Sequence, residues 1–262
     1  MTPDRGRTPS PEPSPEESPY YRDFATLYDE ISRGVPGDIE FYVDLARRVG
    51  GTMVELGVGT GRIAIPAAQT GVRVIGIDRE PAMLAIAAEK ARQQRVLDRL
   101  TLIEGDMRTF SVAERVSLVS IPFRTFQHNL TVEDQRATLA ACRDALHPGG
   151  ILALNVFNPD VSLMERWTRR SAHHWAPYGR GDRAQQQHRD DSSASVLTTK
   201  LRVRSADGNW RTTSFRLRYV SRSEMELHFA ESGFQVQSLA GDFAGQRFEG
   251  YSPEMVWTAV AG

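Results

Sequence analysis

Apolar positions along this chain follow two rhythms. Short runs with little polar interruption stand at 54–56, 74–77, 100–104, 116–121 and 151–157, and turn residues bound most of them. Such runs predict buried strands. Between them, 62–69, 81–94 and 131–146 repeat apolar residues at three- and four-residue spacing, the mark of amphipathic helices. Pro81 suits a first helical turn, Thr131 an N-cap, and Leu146-His147-Pro148-Gly149-Gly150 a helix stop. Strands alternating with helices predict an α/β chain wound on both faces of a mostly parallel sheet. Upstream, Phe24, Leu27, Tyr28 and Ile31 predict one helix, and Ile39, Tyr42, Val43 and Ala46 a second over about 38–49. Downstream, a helix over 222–232, with Ser223 as its cap and Gly233 closing it, precedes strands at 234–239 and 255–260 joined as a hairpin.

Two segments break this rhythm. Residues 1–19 are rich in Pro, Ser and Glu with no apolar residue after Met1, and cannot bury enough surface to offset the entropy of ordering. They are expected to form a disordered tail. Residues 161–221 do not read as another strand–helix unit. Trp167 and Trp175 lie in a helical or irregular piece, followed by β-like runs at 194–204 and 209–220. Ala206-Asp207-Gly208 joins the runs as a hairpin turn. A small inserted antiparallel sheet is therefore expected, dividing the rest into one domain over 20–160 and 222–262. From 165 to 222 there are twelve arginines and one lysine against five acids. Phe215-Arg216-Leu217-Arg218-Tyr219 alternates, placing arginines on one face. Either that face is solvated, the reading taken here, or it attracts an anionic acceptor.

Composition narrows the classes. With 262 residues, 40% hydrophobic, the chain can build a sizeable core. A formal net charge of -1 argues against a chain devoted to nucleic acid or to a membrane surface. No apolar run approaches a membrane span and the N-terminus has no apolar signal core, so a cytoplasmic protein is expected. The single cysteine, Cys142, shares a helical stripe with Leu139 and Leu146 and is expected to pack. His173-His174, with His188, Asp190 and Asp191, show no ligand spacing, and adjacent residues do not share a helix face. No metal site is expected.

Chemistry concentrates at Glu55-Leu56-Gly57-Val58-Gly59-Thr60-Gly61, answered by Val74-Ile75-Gly76-Ile77-Asp78. Strand, glycine turn, helix, strand and acid make a nucleotide-binding unit. A dinucleotide fingerprint needs Gly or Ala where this chain has Arg62. Glu55, two before the first glycine, would repel a pyrophosphate and suits a cationic ligand. Here the sequence resembles the class I S-adenosylmethionine-dependent methyltransferases. That resemblance implies a Rossmann-like, seven-stranded, mostly parallel sheet with an antiparallel last strand, S-adenosylmethionine as cofactor, and methyl transfer to N, O or C of a small molecule. It covers about 20–160 and 222–260. The loop Pro122-Phe123-Arg124-Thr125-Phe126-Gln127-His128-Asn129-Leu130 resembles that of bacterial small-molecule methyltransferases, including those acting on amino sugars, as found in secondary metabolism.

The resemblance also implies roles. Glu55, Gly57, Gly59 and Gly61 would hold the methionine end and Asp78 the ribose. Gly105, Asp106 and Met107 would read the adenine, with Arg79 and Met83 flanking it. Ile121 and Pro122 would floor the site. Tyr21 and Tyr28 come from an N-terminal helix closing over the cofactor; Tyr28 is the better match. His128 is the candidate base for a hydroxyl acceptor, with Tyr28 beside it in the catalytic set. Alternatives are an RNA or protein methyltransferase using the basic insertion, or a cofactor-binding regulator without catalysis. The acceptor and the oligomeric state stay open, a homo-oligomer being compatible.

Overall fold

The computed structural model describes residues 19–160, 162–165, 175–178, 184–204 and 208–262. The expected tail up to residue 18, Trp167, His173, His174 and Asp207 of the expected hairpin turn lie outside the described residues.

The described residues begin with α1 (Pro19–Asp23), a 3-10 turn (Ala25–Leu27) and α2 (Tyr28–Ile31). One helix was expected here. Instead Phe24, at φ -120 and ψ 16, breaks it. Tyr20, Phe24 and Ile31 join Leu201, Val203 and Phe215 of a second sheet in one apolar cluster, so tertiary packing overrides the helical period.

The Rossmann-like core follows. Strands β1 (Thr52–Leu56), β2 (Arg73–Asp78), β3 (Leu100–Glu104), β4 (Val116–Ile121) and β5 (Leu146–Phe157) run parallel. Helices α3 (Asp38–Val49), α4 (Ala64–Gln69) and α5 (Pro81–Gln93) cover one face; α6 (Val132–Ala145) covers the other. Covering on both faces explains why β1 and β4 are apolar almost throughout. Thr131 caps α6 as expected, accepting from the Asp134 amide at 3.0 Å, and Cys142 is sealed in the core.

A second, antiparallel sheet combines β6 (Ala176–Pro177), β7 (Ala184–Asp191), β8 (Val196–Arg204) and β9 (Trp210–Arg218) in that order. The two expected runs are β8 and β9. The Gln-rich β7 has no apolar alternation to announce it; it is recruited by pairing along β8 from Ala184 opposite Val203 to Asp191 opposite Val196. The arginine face was expected to be solvated, and Arg218 is not. It is 8% exposed and donates to Gln135 Oε1 at 2.9 Å and Glu224 Oε1 at 2.7 Å, docking the insertion onto the core.

Helix α7 (Arg222–Glu231) is capped by Ser221, not Ser223. Strands β10 (Phe234–Ala240) and β11 (Glu254–Ala261) complete a seven-stranded sheet ordered β10-β11-β5-β4-β1-β2-β3. β11 is antiparallel to both neighbours.

Candidate active site

Where β1 ends, the chain bends through Gly57, Gly59 and Gly61, at φ 68, 54 and 81. The Gly57 amide donates to the Ile77 carbonyl at 2.7 Å, which folds the bend over the end of β2. Position 57 admits only glycine on two grounds: the left-handed φ, and Thr125, whose side chain would overlap a Cβ there. Asp78 clamps the same bend, Oδ2 accepting from the Gly59 amide at 2.8 Å and Oδ1 from the Glu80 amide at 2.9 Å. Burial pushes the Asp78 carboxyl up, and these amides oppose the shift.

Beside the bend lies a pocket lined by Tyr28, Glu55, Gly57, Arg62, Phe123 and Thr125, among others. Its cavity is about 30 Å³, room for little more than one water. Glu55 is 3% exposed, and its Oε2 has no hydrogen-bond partner among the described residues. Burial pushes its carboxyl up to about 8 despite the pull of Arg62. Arg62 stays committed to Asp38, itself 2% exposed. An orphaned acid in such a pocket suits a cationic partner.

At the far end of β2, Arg79 Nε lies 4.0 Å from Asp106 Oδ2. Arg108 grips both Asp106 oxygens, Nε at 3.0 Å and Nη2 at 2.7 Å, and its amide donates to Oδ1 at 2.9 Å. Burial raises the Asp106 carboxyl, but Arg108 outweighs it and holds it below the usual range. Gly105 donates to the Asp78 carbonyl at 3.0 Å, bringing the two acidic turns together.

On the insertion side, Tyr21 Oη lies 2.6 Å from His128 Nε2. Burial first, then Arg79, pulls the imidazole down to about 4, while a backbone hydrogen bond to Arg216 opposes this. His128 is therefore neutral at pH 7. Tyr20, Tyr28 and Phe215 pack around the pair, with Tyr20 and Phe215 ring centroids 5.3 Å apart.

Residues 53–150 match the family model described as a methyltransferase domain. The CcbJ methyltransferase of Streptomyces caelestis superposes with a TM-score of 0.82 at 26% identity, covering 94% of this chain and 99% of that one. The chain is an S-adenosylmethionine-dependent methyltransferase, similar to those of class I. The cypemycin N-terminal methyltransferase of a Streptomyces species is 27% identical over 211 residues, 79% of this chain and 82% of the relative. A glycine/sarcosine N-methyltransferase of Aphanothece halophytica is 29% identical over 236 residues, 87% and 84% of the two chains.

The methyltransferase brings most of the expected residues to one edge of the sheet. Tyr28, Glu55, Gly57 and Gly59 share the pocket. Met83 is 1% exposed, its Cε within van der Waals range of where a Cβ on Gly59 would stand. Met107 accepts through Sδ from Asn129 Nδ2 at 3.5 Å, joining the Asp106 turn to the His128 loop. Two expectations shift. Of the two residues expected to floor the site, Ile121 is sealed in the core, while Pro122 lines the pocket together with Phe123 and Thr125. Tyr21, ranked behind Tyr28, is the tyrosine bonded to His128. Sequence reasoning missed Asp38, Arg108 and Asp29. Asp29 accepts from Thr60 Oγ1 at 2.6 Å and pairs with Lys90, latching α2 to the glycine bend. Its only sequence signal was its place after Leu27-Tyr28. Among the described residues no helix is long and apolar enough to cross a membrane, and no cluster of three or more His, Cys, Asp or Glu could hold a metal.

Proposed function

We propose that this methyltransferase methylates an amine nitrogen of a small molecule. The carrying observation is the neutral His128 bonded to Tyr21. A general base works best with a pKa near the operating pH, and an imidazole at about 4 is a poor base for a hydroxyl. An amine entering as the free base carries its own lone pair and needs only orientation, which the Tyr21–His128 pair provides. The names of the N-methyltransferases similar to this chain support the same reading.

S-adenosylmethionine supplies the methyl group on a sulfonium. Glu55 would hold its ammonium group, ionising as the charge arrives. Asp78 would accept from the ribose, keeping its amide bonds to the glycine bend. Asp106 and Met107 would read the adenine beside Arg79, Met83 and Gly105. Arg108 already occupies both Asp106 oxygens, so the carboxylate would serve adenine with its remaining lone pairs. Tyr28 would close the pocket against water, since an in-line displacement depends on alignment and dryness.

Matched pairs of small amines and their hydroxyl analogues, incubated with donor and followed by mass spectrometry, test this. Methylation of the amines alone is expected. Methylation of the hydroxyl members with the amines untouched would overturn it.

A further inference from the structure

The pocket wall depends on a turn that few residue types adopt. Phe123 and Arg124 stand in succession at φ 51 and 65, a left-handed region disfavoured for residues with a Cβ. A strained pair persists only where its surroundings over-determine it. Those surroundings are unusually polar for a core. Arg124 donates from Nε to Glu254 Oε1 at 3.0 Å and also from Nη2 to the same oxygen. The Glu254 side chain is 1% exposed. Its Oε2 accepts from Asn155 Nδ2 at 2.9 Å, and Asn155 Oδ1 accepts from the Tyr42 hydroxyl at 3.2 Å. The Arg124 guanidinium also lies over the Phe157 ring, 5.6 Å from its centroid.

What the turn delivers is the wall facing Glu55. Phe123 and Thr125 line that pocket, and Thr125 presses on Gly57 closely enough to exclude any Cβ there. The Arg62 guanidinium lies over the Phe123 ring, 5.2 Å from its centroid. Neither Arg124 nor Glu254 lines the pocket.

We propose that Arg124 and Glu254 are positioning residues for donor binding. Their ion pair, buried at Glu254 and 36% exposed at Arg124, holds the left-handed turn and so sets Phe123 and Thr125 against the glycine bend. The inference rests on the reading of this pocket as the donor's methionine end. Removing Arg124 alone would strand the buried Glu254 charge and confuse folding with function. Paired changes avoid this. Glu254→Gln removes the charge at nearly constant shape. Arg124→Gly then leaves a residue at ease at φ 65, whereas Arg124→Ala leaves one that is not.

The experiment measures S-adenosylhomocysteine affinity by titration calorimetry, with donor and acceptor KM alongside. The Arg124→Gly/Glu254→Gln protein is expected to bind within about threefold of wild type, and the Arg124→Ala/Glu254→Gln protein about tenfold more weakly than the glycine double, the ratio implied by the left-handed penalty. Donor KM should rise in the alanine double with acceptor KM unchanged. Equal affinity in the two doubles overturns the proposal. Should the alanine double not fold, Glu254→Gln alone decides: donor KM raised with acceptor KM unchanged supports it, and unaltered donor KM overturns it. Failure of the wild-type protein to bind at all would instead overturn the pocket reading itself.

Discussion

Arg62 closes a two-point ion pair on Asp38, Nη1 to Oδ1 at 2.8 Å and Nη2 to Oδ2 at 2.7 Å, and leaves Glu55 Oε2 beside it without a hydrogen-bond partner. The cation nearest the orphaned acid is thus already engaged. Burial holds this acid's pKa up at about 8, and on the proposed reading it ionises when the donor's ammonium enters.

Proton release on donor binding follows. Between the ordinary value of 4.5 and about 8, the folded chain holds a proton at Glu55 that the unfolded chain has lost. This group therefore makes the free protein less stable as pH rises through that window. Pairing with an ammonium requires the ionised form, so donor affinity should rise about tenfold per pH unit below about 8 and then level off. Calorimetry at pH 7 in two buffers of different ionisation heat should show the proton leaving, and Glu55→Gln should abolish the difference. Heats independent of buffer in the wild type would exclude the ion pair.

Asp78 serves the bend and, on the proposed reading, the ribose. Asp78→Ala removes an acceptor from both, and loss of charge-assisted bonds predicts donor binding weaker by about ten- to a hundredfold. Equilibrium dialysis with S-adenosylhomocysteine measures it. Unaltered affinity would remove Asp78 from the site.

His128 predicts an unusual pH response. Between about 4 and 6.5 the unfolded chain binds a proton at this position that the folded chain does not. Stability from this group is complete above about 6.5 and is lost as pH falls toward 4. The kcat profile should show no inflection from His128 between pH 6 and 8. Tyr21→Phe should lower kcat by up to about tenfold, the worth of one neutral hydrogen bond, at constant donor affinity. A histidine-like inflection near 6.5 in the wild type that vanishes in His128→Asn would restore the base role.

The latch from Asp29 to Thr60 and Lys90 holds the Tyr28 segment closed. Thr60→Val should raise donor KM several-fold, about 1 kcal/mol of lost hydrogen bond. Amides over 20–31 should exchange faster with solvent deuterium. Unchanged exchange would show that aromatic packing alone holds the segment.

Regular periodicity made the core legible: β1, β2 and β4 are covered on both faces and their helices on one, and the apolar runs and stripes say so. The site was legible where chemistry is local, as at Glu55, the three glycines and Asp78. Long-range pairings were not. Asp38 reads as an exposed helix start, yet it meets Arg62 across 24 positions of chain. Arg218 alternates with Leu217 as a solvated arginine would, and only the docking of β9 against α6 and α7 explains its burial. The β7 strand has no pattern of its own because its partner supplies the reason for its shape.

Because β11 runs against its neighbours, it reaches the ligand edge with its first residue, Glu254, whereas the parallel strands reach it with their last. On the ribosome, the Rossmann half would emerge long before that carboxylate is made. Arg124 must wait for a partner 130 positions downstream. A nascent chain stalled short of β11 should therefore fold its nucleotide half and still hold the donor poorly, so the grip of the site waits on the antiparallel strand.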